Sequence, residues 1–422
     1  MVKKVKNIEI KDGVTMHYIE DTKFKTTTLG VYIHTPLKRE TASKNALLPM
    51  VLRRGCEKWQ SFDEIEKRLD DLCGAALNTG VIKRGEDHIL CFDISTISDK
   101  YYIGEGDILL SCAELLFDII LNPKLSDGAF CEEYVESEKK NLCDAIDSLI
   151  NDKQSYALWR LYEIMCENEA YGVHELGTKQ EVEKITSKDL YEYYKDLFKN
   201  SKIDIFVCGN ADTDKLCDWI CDALKEVDTT DAPYPTTEKI SVVNDIKNIC
   251  EEFDTNQAKL ALGFRIKGSV DYASMLVANS VWGSGAHSKL FNNVREKLSL
   301  AYYAFSRYDK YKDTILVGMG IETKNYKMAY DETLMQLNNV CDGEFSENEL
   351  ESAKAFIINA LRSQRDSQYA MIDFHMGLLI RGATDDIDDL CEKVKAVTPL
   401  QVSQTAQLFE LDTVYFLKGK QL

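Results

Sequence analysis

Apolar residues recur along this chain with two different periods. Leu260, Leu262, Phe264 and Ile266 alternate with Lys259, Ala261, Gly263, Arg265 and Lys267, and Ile315, Val317, Met319 and Ile321 repeat the pattern. A period of two predicts strands with one apolar side, so sheets with one covered face are expected. The runs Ile203–Val207, ahead of Cys208-Gly209-Asn210, and Val414–Leu417, ahead of Lys418-Gly419, read as strands that close two halves of the chain. Helical spacing takes over in Val182–Phe198 and again in Val394–Phe409, each with a threonine placed to cap the helix.

These helical stretches are copies of one another. Val182, Ile185, Thr186 and Leu190 meet Val394, Val397, Thr398 and Val402 at a constant separation of 212, and Leu197-Phe198 meets Leu408-Phe409 at 211, a slip of one residue. Asp127-Gly128-Ala129-Phe130 with Glu136-Ser137-Glu138-Lys139 is matched at 215 by Asp342-Gly343-Glu344-Phe345 with Glu351-Ser352-Ala353-Lys354. Leu29-Gly30 is matched by Leu262-Gly263 at 233. A separation that falls along the chain is what insertions and deletions between two copies of one fold produce. The expected class is α+β: two tandem homologous α/β-sandwich halves, each a mostly antiparallel sheet packed against helices. Val227–Lys239 mixes two of the six prolines with Thr and Asp, a linker composition. The expected division is therefore 1–226, a linker at 227–244, and 245–422.

Composition narrows the function. With 422 residues, 45% of them hydrophobic, the chain can fill more than one core, since single cores stop growing beyond ~250–300 residues. Lys and Arg total 51 against 70 Asp and Glu, a net charge of -19 that opposes phosphate backbones and anionic lipid, so neither nucleic acid nor membrane is an expected partner. No apolar run follows the basic residues of MVKKVKNIEIKDGVTMHYIE, which predicts no export signal and a cytoplasmic address. The most apolar stretch, Ile108 to Asn122, is too short to span a bilayer and carries Glu114 and Asp118. Thirteen cysteines in such a chain are expected to stay reduced and to serve mostly as core filler. Cys217 and Cys221, four apart, are expected on one apolar helix face with Ile220 and Leu224.

Neither His-based zinc motif occurs. The six histidines stand at 17, 34, 88, 174, 287 and 375, which excludes both H-E-x-x-H and H-x-x-E-H, and no metal or other cofactor is expected. His174-Glu175 reads as a loop. Gly283-Ser284-Gly285 lacks the Lys-Ser/Thr of a phosphate loop, and Asp385-Asp386-Ile387-Asp388-Asp389 lacks the spacing of a calcium loop and reads as a solvated helix start.

Gly283-Ser284-Gly285-Ala286-His287-Ser288-Lys289-Leu290-Phe291, followed by Val294-Arg295-Glu296-Lys297-Leu298-Ser299-Leu300-Ala301-Tyr302-Tyr303, supplies a Gly-rich turn, S-x-L-F, R-E-K and L-A-Y. With the duplicated halves, it resembles the C-terminal signature of the family that contains insulinase, pitrilysin and the mitochondrial processing peptidases. Active members carry H-x-x-E-H on the first long helix, with the histidines on zinc and the glutamate as general base. The segment in that place here is Asn45-Ala46-Leu47-Leu48-Pro49. Asn45 and Pro49 match the ligands and Leu48 the base, and none can do the work. Glu138 resembles the first glutamate of the family's downstream pair, and Ala145 stands where the second would ligate.

The resemblance implies the opposite for the second half. Arg295 and Tyr302 match the family's substrate-binding pair, an always-charged guanidinium and a phenol donor for the oxygen that becomes negative in the tetrahedral intermediate. Tyr303 is the weaker match. The Gly283 and Gly285 turn belongs to the same signature. The family closes a chamber from four such halves, so the chain is expected to pair with a zinc-bearing subunit as a heterodimer, or with a second copy of itself, around a peptide substrate. No hydrolysis is expected from the chain alone. The nearest group is that of probable inactive members from Gram-positive bacteria, associated with modification of elongation factor P. A non-enzymatic scaffold or peptide-binding protein of the same fold is the alternative.

Overall fold

The computed structural model describes residues 5–419. Two sheets organise the chain. The first contains β1 (Lys6–Lys11), β2 (Val14–Glu20), β3 (Thr26–Pro36), β4 (Ala76–Arg84), β5 (Asp87–Ile97) and β6 (Lys202–Gly209), in the order β1-β2-β6-β3-β5-β4. The second contains β7 (Lys247–Phe253), β8 (Ala258–Ile266), β9 (Ala301–Asp309), β10 (Thr314–Ile321) and β11 (Phe409–Gly419), in the order β9-β10-β8-β11-β7. Read from its other edge, the first sheet is the second with β1 added. Each closing strand lies inside its sheet, parallel to one neighbour (β2 for β6, β7 for β11) and antiparallel to the other.

The helices used below are α1 (Arg39–Leu52), α2 (Glu132–Ser148), α3 (Lys153–Met165), α4 (Ser187–Leu197), α5 (Tyr272–Trp282), α6 (Leu290–Lys297), α7 (Glu347–Ser363), α8 (Gln368–Arg381) and α9 (Pro399–Ala406). The repeated sequence signals fall on equivalent elements. Thr186 caps α4 by accepting the Asp189 N–H, and Thr398 caps α9 by accepting the Gln401 N–H. Helices α2 and α7 each run 17 residues, and their first residues are 215 apart. The Asp-Gly pairs before them turn differently. Asp127 and Gly128 both take positive φ (52° and 77°), as a two-residue hairpin requires, and join Leu125–Ser126 to Ala129–Phe130. Asp342 instead ends the preceding helix, and only Gly343 is left-handed, at 80°.

The compact units are not the contiguous stretches 1–226 and 245–422. One comprises the chain as far as Asp147 with Val173–Thr236 and Ser367–Gly382; the other comprises Ser148–Gly172, Thr237–Asp366 and the chain from Ala383. Helix α3, from the first half of the sequence, therefore belongs to the second unit, and α8, from the second half, to the first. The segment 227–244 is divided between the units after Thr236 and is tied to both. The Tyr234 hydroxyl donates to Asp204 at 2.7 Å in the first unit, and Arg265 donates to the Ile240 carbonyl at 3.2 Å in the second.

This exchange overturns the expectation of sheets with one covered face. Every residue of β8 and of β10 is buried, including Ala261, Gly263 and Arg265 on the side read as open. On that side Ala157 and Leu161 of α3 pack with Ala261, Leu316, Tyr415 and Leu417. A Cβ at Gly263 would lie 2.7 Å from the Met165 sulfur, so glycine lets the helix approach. In the first unit α8 covers the matching side, where Ile372 and Met376 join Tyr32, Ile89 and Phe206. The Gln368 side chain bonds the Thr26 and Cys208 carbonyls at 2.9 and 2.6 Å. The other side of the first sheet is a large apolar core with Leu29, Val31, Ile33, Leu47, Leu48 and the Ile108–Leu121 helix. Each such side chain contributes roughly 1.5–3 kcal/mol by leaving water.

Two smaller expectations change. Of the thirteen free cysteines only six are buried, and Cys221 is exposed rather than packed with Ile220, because the helix Thr213–Ala223 buries Leu216 and Ile220 and turns Cys221 outward. The acidic run does begin a helix, with Asp386 as its cap.

Candidate functional site

Helix α1 carries the three residues that occupy the metal and base positions, and all are buried. The Asn45 amide is hydrogen-bonded at both its nitrogen and its oxygen. It donates to Thr35 Oγ1 at 2.9 Å and to His88 Nδ1 at 3.1 Å, and accepts from the Tyr193 hydroxyl at 2.5 Å. The Thr35 hydroxyl in turn donates to the His88 carbonyl at 2.8 Å, which closes the network. Burial, with Lys83 nearby, lowers His88 to about 4, so the ring is neutral near pH 7 and free to accept through Nδ1. Burial pushes Tyr193 up to about 12, and its phenol stays a donor. Leu48 lies in the apolar core and Pro49 offers no ligating atom. This set does not fit a zinc ion, because the one polar side chain is a neutral amide held in three hydrogen bonds, and Leu48 and Pro49 have no ligating side-chain atom.

The downstream pair is on α2. Glu138 is buried and used locally, 3.4 Å from Arg54 and accepting from Asn141 at 3.0 Å. Ala145, two turns on, is half-buried and has no carboxylate to offer. Among the described residues no group of three or more His, Cys, Asp and Glu is disposed to hold a metal ion.

The second unit holds Arg295 and Tyr302, and the backbone around them is irregular in three ways. Helix α6 is wide: the Leu298 N–H bonds the carbonyl five residues back, at Asn293, across 3.1 Å. Ser299 takes φ of 50°, rare for a residue with a Cβ. The β9–β10 ladder pairs Ala301 with Ile321 and Tyr303 with Gly320, which leaves Tyr302 as the extra residue of a bulge. Such irregularities re-aim side chains, and they concentrate at functional sites. Here the bulge presents Tyr302 to solvent at 58% exposure, high for a tyrosine, while Tyr303 is half-buried under the Lys259 ammonium at 5.3 Å. The Arg295 side chain is 41% exposed, with its guanidinium 4.6 Å over the Phe291 ring and its Nε 3.6 Å from Glu296.

The Gly-rich turn sets where α6 starts against β9. The Gly283 carbonyl accepts the Ser306 N–H at 2.8 Å, and a Cβ there would come within 2.5 Å of Ser306 Oγ and 2.7 Å of Leu290, so a side chain cannot fit. Gly285 has φ of 105°, a region closed to other residues. His287 closes the turn by its 3.0 Å contact with Ser280 Oγ.

The spacing of sequence signals missed a buried charge cluster in the first unit. His34 lies between two carboxylates, with Nδ1 2.6 Å from Asp87 and Nε2 3.2 Å from Asp204; Asp204 also meets His17 at 3.0 Å and accepts from Tyr234. Burial alone would depress His34, but Asp87 and Asp204 raise it to about 9. Burial works against the Asp204 charge too, and the bonds from His17 and His34 overcome it and hold the carboxyl well below its usual range. The four groups come from β2, β3, β5 and β6, so only strand pairing brings them together. A second buried cluster joins Arg265 to Glu169 at 2.6 Å and Asp412 at 2.7 Å, with Lys312 2.7 Å from Glu169. Both clusters are paired internally; the first lies wholly on strands, and in the second Glu169 and Lys312 reach Arg265 and Asp412 from turns.

Comparison with known proteins shows what the chain is similar to. Residues 184–357 match the family described as the peptidase M16 inactive domain. The probable inactive metalloprotease YmfF of Bacillus subtilis is 32% identical over 410 residues, 96% of each chain. The uncharacterized zinc protease YmxG of Bacillus subtilis is 24% identical over 427 residues, 97% of this chain and 96% of that one. The crystal structure of a conserved protein from Enterococcus faecalis superposes with a TM-score of 0.91 at 27% identity, covering 99% of both chains.

Proposed function

We propose that this chain, which belongs to the M16 peptidase family as one of its inactive homologues, serves as the zinc-less subunit of a two-chain peptidase and supplies Arg295 and Tyr302 to a partner's metal site. The observation that carries the reading is an asymmetry. The amide in the metal-ligand position is consumed by Thr35, His88 and Tyr193, whereas the guanidinium and phenol of the substrate-binding signature stand exposed on irregular backbone. Tyr302 would donate to the oxygen of the scissile carbonyl as charge develops there, and Arg295 would hold the peptide through its carbonyl groups. The base and the activated water come from the partner in this reading, and this chain moves no proton at the metal.

The partner is a zinc-bearing M16 chain with an intact H-x-x-E-H, and a second copy of this chain is the other arrangement the family resemblance allows. A cytoplasmic address is proposed with it, and a link to elongation factor P modification rests on that resemblance. Among the described residues no helix is long and apolar enough to cross a membrane. The test is reconstitution with a zinc-bearing M16 chain that carries an intact H-x-x-E-H, following peptide cleavage and sedimentation separately. Cleavage by the pair and by neither chain alone is the expected result. Full cleavage after Arg295→Ala/Tyr302→Phe would make these residues structural and favour the scaffold alternative.

A further inference from the structure

We infer that Phe291 is a positioning residue for Arg295: its ring carries the guanidinium and sets the direction in which the charge is presented. The inference rests on the reading of Arg295 given above. Among the described residues the guanidinium makes two contacts, the Phe291 ring at 4.6 Å and Glu296 at 3.6 Å. The Glu296 contact is long and exposed at both ends, and an ion pair of that kind orients little. The ring is the firmer guide, because a planar guanidinium stacks on an aromatic face and is attracted there at short range.

The helix around Phe291 is well anchored. Its neighbours Leu290 and Val294 are buried, and the adjacent side chains pin the helix: Asn292 donates to the His287 carbonyl at 2.9 Å, and Asn293 donates to Gln336 at 3.0 Å. The Phe291 N–H donates to Ser288 Oγ at 3.3 Å. The half-buried ring thus projects from a pinned stretch of helix, one wide turn before Arg295. A long arginine without such a platform samples many rotamers, and each hydrogen bond to a peptide then costs more ordering.

The experiment uses the full chain labelled with ¹⁵N-arginine. The Nε–Hε resonance of Arg295, identified by its loss in Arg295→Lys, is expected to be shifted by the ring current. That shift should vanish in Phe291→Leu and persist in Phe291→Trp, which keeps an aromatic face. In parallel, fluorescence anisotropy follows binding of fluorescein-labelled tryptic peptides of casein. Phe291→Leu should weaken binding roughly two- to fivefold, the size of an exposed cation–π contact, and Phe291→Trp should restore it. In the Arg295→Ala background the residue at 291 should no longer matter. Unchanged binding in Phe291→Leu, while Arg295→Ala weakens it, overturns this inference and leaves the reading of Arg295 intact. Unchanged binding in Arg295→Ala overturns both.

Discussion

The Tyr193 hydroxyl donates to the side-chain oxygen of Asn45 across 2.5 Å, and this bond joins α4 to the helix on which active relatives would carry zinc. Tyr193→Phe should leave that buried oxygen without its partner and cost about 1–3 kcal/mol in urea unfolding. Combined with Asn45→Ala, the loss should be less than the sum of the two single losses, because the two side chains share one interaction. The same closed network predicts that the purified chain retains no stoichiometric zinc. Elemental analysis after dialysis against a weak chelator decides it, and one zinc held per chain would overturn the inactive-subunit reading.

Tyr302 sits on a bulge with its side chain exposed, so removing its hydroxyl should leave the fold unchanged. In a reconstituted pair Tyr302→Phe should lower kcat by about 10²–10³, the usual loss for one oxyanion donor, with assembly intact by sedimentation. A loss confined to KM would mean that the phenol binds substrate and transition state alike.

The His34 cluster predicts a pH dependence on the alkaline side. Its folded pKa, raised to about 9, lies above the ordinary 6.5, so the folded state binds the extra proton. The associated stability is fully present below about pH 6.5 and is lost as pH rises through about 9; at most it is on the order of 3 kcal/mol. Asp87, Asp204 and the Tyr234 ring face His34, and His17 bonds the other oxygen of Asp204, so His34→Gln should flatten the pH profile and lower stability at neutral pH. Urea unfolding at pH 6.5, 8 and 9.5 reads this, and an unchanged midpoint in the native chain would contradict it.

The exchanged helix α3 should be essential to the second unit. Leu161 is fully buried against Ala261, Leu316 and Tyr415. Leu161→Ala should cost about 2–5 kcal/mol, as large-to-small changes in packed cores do. A loss under about 0.5 kcal/mol would mean that the sheet does not depend on α3 for its cover.

Much of this was legible in the sequence, because the relevant signals are local. Alternation at Leu260–Ile266 follows from strand geometry, threonine caps at 186 and 398 from helix-end chemistry, and the paired signals at constant separation from duplication. The loss at Asn45, Leu48 and Pro49 is also local, since leucine and proline cannot bind metal in any fold. Tertiary structure alone decided the rest. Exchange of α3 and α8 joins distant segments and covers the sheet faces read as open, and a period-two pattern cannot announce it when small residues such as Ala261 and Gly263 accept the helix. The His17, His34, Asp87 and Asp204 cluster depends on strand order, which brings together side chains as far as 187 residues apart. The bulge that turns Tyr302 outward depends on the register between β9 and β10, and it is tolerated because β9 is an edge strand with no second neighbour to pair.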